Sequence, residues 1–163
     1  MTGARFTLET ADEMKAFGAA LGRELAGGDV IVLTGDLGAG KTTLTQGIAR
    51  GMGITEAVTS PTFVISRVHD HHADGPALVH VDAYRLGSLR ELEDLDLDHD
   101  LAQSVVVVEW GGGLVDDLSD SRLSLAITRS DDPEDDVRTI VADSPSQRLD
   151  TVVTMLAARS EPW

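Results

Sequence analysis

The 163-residue chain contains no cysteine, which removes disulfides, thiolate zinc sites and cysteine nucleophiles together. Asparagine is absent as well, so the Asn-Lys-x-Asp motif by which guanine-specific GTPases read their base cannot occur, and ATP is favoured over GTP. No segment approaches the roughly 18 apolar residues of a membrane span, and no membrane partner is expected. Residues Met1 to Arg5 lead into strand-like sequence without the apolar core of a secretory signal, so the expected location is cytoplasmic. Basic side chains are scarce: 13 Lys and Arg stand against 28 Asp and Glu, a formal net charge of −15. Such a surface repels a phosphate backbone, and no direct, high-affinity nucleic-acid binding is expected unless a partner supplies positive charge.

What is present fits one folding unit. The chain is 42% hydrophobic, long enough for one core, and shows no repeat or linker, so a single domain over residues 1–163 is expected. Its nucleotide core spans about 29–110 and its C-terminal strands and helix about 122–158. The strongest motif is Gly35-Asp36-Leu37-Gly38-Ala39-Gly40-Lys41-Thr42, the G-x-x-x-x-G-K-[ST] phosphate loop. Glycines let backbone N–H groups curl round a phosphate, Lys41 reaches the β- and γ-phosphates, and the Thr42 hydroxyl ligates Mg²⁺. The apolar run Val30 to Leu33 precedes it as a strand, and Thr43 to Arg50 follows as a helix.

Further elements follow from periodicity. Arg5 to Leu8 reads as a strand, and Thr10-Ala11-Asp12-Glu13 as a capping box that opens a helix with Met14, Phe17, Leu21 and Leu25 inward and Gly27-Gly28 at its end. Strands are expected at 62–68, 77–81 and 105–108, the last buried on both faces and central. Two later strands, 122–128 and 137–142, are expected to pair antiparallel. A final helix starts at Ser144-Pro145-Ser146-Gln147, with Pro in its first turn. The inserts 70–76 and 130–136 read as mobile loops.

A P-loop enzyme needs a strand-end carboxylate for its magnesium shell, and Asp82 and Glu109 compete for that place. The Val105 to Val108 run makes Glu109 the better candidate by pattern, leaving Asp82 to orient or deprotonate a water; either can equally be an ordinary strand-end acid. Ser60-Pro61-Thr62-Phe63 reads as a switch-like loop whose Ser60 and Thr62 hydroxyls face phosphate, metal or water, or as a bare proline turn. His69, His71, His72 and His80 match no zinc spacing and read as part of a solvated insert. Asp94 to Asp98 imitates a calcium loop but has His99 where Gly is required, and 91–100 reads instead as a short amphipathic helix with an acidic side.

In order and spacing, Gly35 to Thr43, Ser60 to Phe63, Val81-Asp82-Ala83-Tyr84-Arg85-Leu86, Glu91 to Leu95 and Val108-Glu109-Trp110 resemble the TsaE family, small bacterial ATPases of tRNA threonylcarbamoyladenosine formation. The resemblance implies a P-loop α/β three-layer sandwich, parallel at the centre of its sheet, with antiparallel strands added in the C-terminal part. It implies Mg²⁺ held by Thr42 and Glu109, ATP as substrate bound along Gly35 to Thr43, and hydrolysis supported by Lys41 and Asp82. Ser60 and Thr62 would form a first switch and Trp110 part of a second. The implied partners are TsaD and TsaB type proteins, with tRNA reached only through them and hydrolysis weak without them. Gly111-Gly112-Gly113 replaces the Pro that often follows Glu-Trp in the family. The late basic motif is thinned to Arg138, assigned to the nucleotide. A small-molecule P-loop kinase, with Asp82 as base, is the competing reading.

Overall fold

The computed structural model describes residues 3–36, 38–54, 66–69, 75–82, 103–109 and 120–163. Seven strands, β1 (Ala4–Leu8), β2 (Val30–Thr34), β3 (Ser66–His69), β4 (Ala77–Asp82), β5 (Ser104–Glu109), β6 (Arg122–Arg129) and β7 (Arg138–Asp143), form one sheet in the order β1-β7-β6-β2-β5-β4-β3. The four neighbours β6, β2, β5 and β4 run parallel. β7, β1 and β3 pair antiparallel at the two flanks. The mixed α/β sheet is the expected one, with two corrections. β6 pairs antiparallel with β7 as expected but also extends the parallel centre against β2, and antiparallel strands flank both sides, one of them the N-terminal strand.

Burial follows the sequence pattern. Val30 to Leu33 and the whole of β5 are buried, as continuous β-branched runs are when both faces of a parallel sheet are covered. β5 lies beside β2, which holds the middle place. β6 alternates buried and more exposed positions, with Leu123, Leu125 and Ile127 inward, as a strand with one wet face does.

Three described helices pack on this sheet: α1 (Ala11–Gly22), α2 (Lys41–Gly51) and α3 (Gln147–Ala157). Thr10 caps α1 by accepting from Glu13 N at 3.1 Å, while the Glu13 carboxylate accepts from Glu9 N. The return bond of the expected box therefore falls one residue early. Met14, Phe17 and Leu21 face the core, but α1 stops at Gly22, ahead of Gly27-Gly28. The chain tightens there through Arg23 N to Ala19 O and Glu24 N to Leu21 O, and the Asp29 carboxylate then takes the Ala26 N–H at 2.7 Å. Ser146 is the N-cap of α3, which leaves Pro145 outside the helix.

α1 and α2 cross backbone to backbone. A Cβ on Gly51 would stand 2.1 Å from Ala19 O, one on Gly22 2.3 Å from Ile48 O, and one on Gly47 2.4 Å from Lys15 O. Only glycine permits that approach. Trp163 closes the far side against Phe6 and Phe17, with the Arg159 guanidinium 4.4 Å above its ring.

Asp29, 2% exposed, ties three segments together by accepting from Ala26 N, from Ser121 Oγ at 2.8 Å and from Arg148. Arg148→Ala leaves this buried carboxylate one donor short. The expected loss is about 1.5 kcal/mol, the low end for a hydrogen bond to a charged group because Arg148 is half exposed. It should be read as a lower urea midpoint with unchanged slope.

Candidate nucleotide-binding site

Parallel pairing brings the ends of β2, β5 and β4 to one edge of the sheet: Leu33 and Asp82 both stand in register with Glu109. In open α/β folds the carboxyl edge of the parallel strands is where ligands sit. The phosphate loop leaves β2 at this edge and enters α2. Gly38 and Gly40 have φ of +80° and +108°, a region that side-chain-bearing residues rarely adopt. Gly40 is also the N-cap of α2 and brings no side-chain acceptor to the first turn, at a helix N-terminus whose dipole favours an anion.

Lys41 is 7% exposed and its Nζ donates to Gly35 O at 2.7 Å and Asp36 O at 3.0 Å. The ammonium is thus already tied into the loop that precedes it. The Thr42 hydroxyl lies 3.4 Å from Glu109 Oε1, to which it donates, and Glu109 is 5% exposed. His80 Nε2 lies 3.2 Å from the same oxygen. Arg138 donates from Nε to Ala39 O at 3.1 Å and from Nη1 to Val137 O and Asp135 O, so it braces the loop through its backbone.

A cleft of about 160 Å³ opens beside the loop, lined by Thr10, Ala11, Met14, Gly38, Ala39, Gly40, Thr43, Asp136 and Arg138. Arg129 stands opposite Arg138 across β6 and β7, and its Nη1 is 3.3 Å from where a Cβ on Gly38 would lie. A second arginine therefore reaches the loop, although none adjoins Arg138 in sequence. Away from this edge, a separate cleft of about 380 Å³ gathers Lys15, Arg23, Arg50 and Arg159 beside Asp12, so the acidic surface is not uniform.

Of the residues singled out by sequence, Gly35, Asp36, Gly38, Ala39, Gly40, Lys41, Thr42, Thr43, Glu109 and Arg138 are gathered around one loop. Leu37, Ser60, Thr62, Trp110, Gly111 to Gly113 and the acidic stretch 91–100 lie outside the described residues. Asp82 is placed by its backbone alone. Sequence reasoning missed His80, grouped there with a solvated insert although it is 0% exposed inside β4; its place two residues before Asp82 in an apolar strand was the available signal. It also missed Thr10, Met14 and Asp136 in the cleft, which share no local motif with the loop. Residues 130–136 form a loop, as expected, with its own turn bonding: Ser130, Asp132 and Asp135 side chains accept from Asp132, Glu134 and Val137 N–H groups in turn, the bonding of Asx-type turns.

The family model described as threonylcarbamoyl adenosine biosynthesis protein TsaE matches residues 8–140. The chain belongs to the TsaE family. Among curated TsaE relatives, the Streptomyces coelicolor tRNA threonylcarbamoyladenosine biosynthesis protein TsaE is 53% identical over 147 residues, covering 88% of this chain and 99% of the relative. The Bacillus subtilis protein of that name is 46% identical over 112 residues, 68% of each chain. The crystal structure of Bacillus subtilis YdiB superposes with a TM-score of 0.73 at 32% identity, over 94% of this chain and 93% of the other. The TsaE match extends through β7 to Ile140, so it takes in Arg138, well beyond Trp110. TsaE is a family of P-loop-like nucleotide-binding proteins. Among the described residues no helix is long and apolar enough to cross a membrane.

Proposed function

We propose that this chain binds ATP with Mg²⁺ at the phosphate loop and hydrolyses it to ADP and phosphate, as an accessory step in threonylcarbamoyl modification of adenosine in tRNA. It acts in the cytoplasm through TsaD and TsaB type proteins and meets tRNA only through them. The observation that carries the reading is the convergence of Thr42 and Glu109 to 3.4 Å beside a loop into which Lys41 is already tied.

The donor set fits magnesium. Thr42 and Glu109 offer two hard oxygens, and among the described residues no group of three His, Cys, Asp or Glu could hold a metal by protein ligands alone. Magnesium is commonly held by one or two protein oxygens together with phosphates and waters. Bound there, it would neutralise phosphate charge. Lys41 adds a fixed positive charge, the loop N–H groups hold the phosphates in line, and the cleft beside Thr10 and Arg138 takes the nucleoside. Water attacks the γ-phosphorus, the bond to the β,γ-bridging oxygen breaks, and ADP leaves as the water proton passes to a base, the role proposed for Asp82. Ser60, Thr62 and Trp110 supply the switches that sense this change.

Weak turnover alone is part of the proposal. A positioned arginine adds about 10³–10⁵ in rate, yet Arg138 is engaged with three backbone carbonyls. The test is phosphate release from Mg-ATP by the protein alone and with a purified TsaD–TsaB pair, with Glu109→Ala as the blank. Stimulation by the pair that the variant lacks is expected. A rate indifferent to the pair would sink the accessory role, and phosphate found on a metabolite instead of in solution would favour the kinase.

A further inference from the structure

Strand β4 carries one imidazole among aliphatic neighbours. Leu78, Val79 and Val81 are buried, and His80 is 0% exposed. An unsatisfied buried polar atom costs about 1–3 kcal/mol, and His80 has one: Nδ1 finds no hydrogen-bond partner among the described residues. Nε2 does find one, Glu109 Oε1 at 3.2 Å. A carboxylate oxygen only accepts, so Nε2 carries the hydrogen and donates it. The opposite tautomer would set a nitrogen lone pair against Oε1 and strand an N–H at Nδ1. Thr42 Oγ1 meets the same Oε1. Both contacts from described residues therefore fall on one carboxylate oxygen, and Oε2 takes neither.

We propose that His80 is a positioning residue that fixes the rotation of the Glu109 carboxylate, so that its oxygens face Thr42 and the nucleotide. The proposal rests on the reading of Glu109 as the metal-shell carboxylate and identifies what supports it. Register explains the reach. Asp82 stands opposite Glu109 and His80 opposite Val107, which puts His80 on the Glu109 face of the sheet, one alternation back from the edge. From there the imidazole holds the carboxylate from the buried side without entering the space a ligand would use. Partners that hydrogen-bond a metal-ligating group typically contribute about 10–100-fold to metal affinity or activity.

The test titrates Mg²⁺ into the complex with a fluorescent ATP analogue and reads the metal concentration at half-saturation. His80→Asn, whose amide falls short of the Nε2 position, should raise that concentration about 10–100-fold and leave analogue binding without metal unchanged. His80→Gln, whose amide reaches it, should recover most of the loss. Combined with Glu109→Ala, His80→Asn should add nothing, because the two changes remove one interaction. The proposal is overturned if His80→Asn titrates as the parent while Glu109→Ala does not, or if the two effects add. A Glu109→Ala protein that titrates as the parent would instead refute the metal reading, and the proposal with it. Imidazole ¹⁵N spectra of the parent protein give an answer independent of how His80 variants fold. The His80 signals should report the hydrogen on Nε2 and move in Glu109→Gln; signals indifferent to that change overturn the proposal.

Discussion

Lys41→Ala is expected to weaken ATP binding by about 100-fold and to abolish phosphate release with it. Two effects combine. The ammonium is the charge proposed to meet the β- and γ-phosphates, and hydrogen bonds to charged groups contribute about 1.5–3 kcal/mol each; losing two at the low end is about 3 kcal/mol, or about 100-fold in affinity. Its Nζ also ties Gly35 O and Asp36 O into the loop, so the loop loses a brace. Lys41→Arg should not rescue, because the planar guanidinium presents its charge differently from the compact ammonium that bonds Gly35 O and Asp36 O at this buried position. Titration of a fluorescent ATP analogue decides the matter. Parental affinity in Lys41→Ala would end the phosphate-loop reading.

Gly51→Ala should cost more stability than any single surface change, about 3 kcal/mol, the upper end for overpacking in a close-packed interior. The added Cβ would sit 2.1 Å from Ala19 O and 2.7 Å from Ala19 Cα. Those atoms are backbone in the middle of another helix, so no rotamer change relieves the clash and α1 must move as a body. For a chain of this length about 2–4 °C of melting temperature goes with each kcal/mol, and a fall of roughly 6–12 °C is expected by calorimetry. Gly38→Ala makes a useful contrast. It strains a φ of +80° and crowds Arg129 at the loop while meeting no other backbone among the described residues, so nucleotide affinity should fall further than stability. A Gly51→Ala protein that melts with the parent would mean that α1 and α2 do not pack backbone to backbone.

The phosphate loop, the buried strands and the capping residue of α1 were legible because each rests on local chemistry. Glycine spacing, a run of valines and a threonine before a helix need no distant partner to be recognised. The end of α1 was not, because Leu25 continues its apolar period while the chain already turns at Arg23, toward Asp29 and its distant partners Ser121, just before β6, and Arg148 of α3. The parallel placement of β6 also escaped, since alternation gives a strand its faces but not its direction. Most of the loop residues picked from sequence do converge, and Glu109 meets Thr42. His80 was misread because a histidine near an Asp/His-rich insert was judged by its neighbours in sequence. Its side-chain partner is Glu109, two residues along β5 from its register neighbour Val107, and only strand register brings the two together. Arg129 was invisible for the same reason, being paired with Arg138 across two strands.

The order of strands in space differs sharply from their order of synthesis. Among the described strands β1 has one neighbour, β7, and Ala4 finds its partner at Ala142. At roughly 5–20 residues per second, that partner leaves the ribosome's catalytic centre on the order of ten seconds after the first strand. The phosphate loop waits as well, since β2 needs both β5 and β6. While the chain grows, Phe6, Leu8 and the apolar side of α1 have no sheet edge to cover them. A nascent chain stalled before β6 would hold the phosphate loop, β4 and β5, while β2 lacked its partner β6 and β1 its partner β7, leaving two unpaired strand edges for a chaperone to cover.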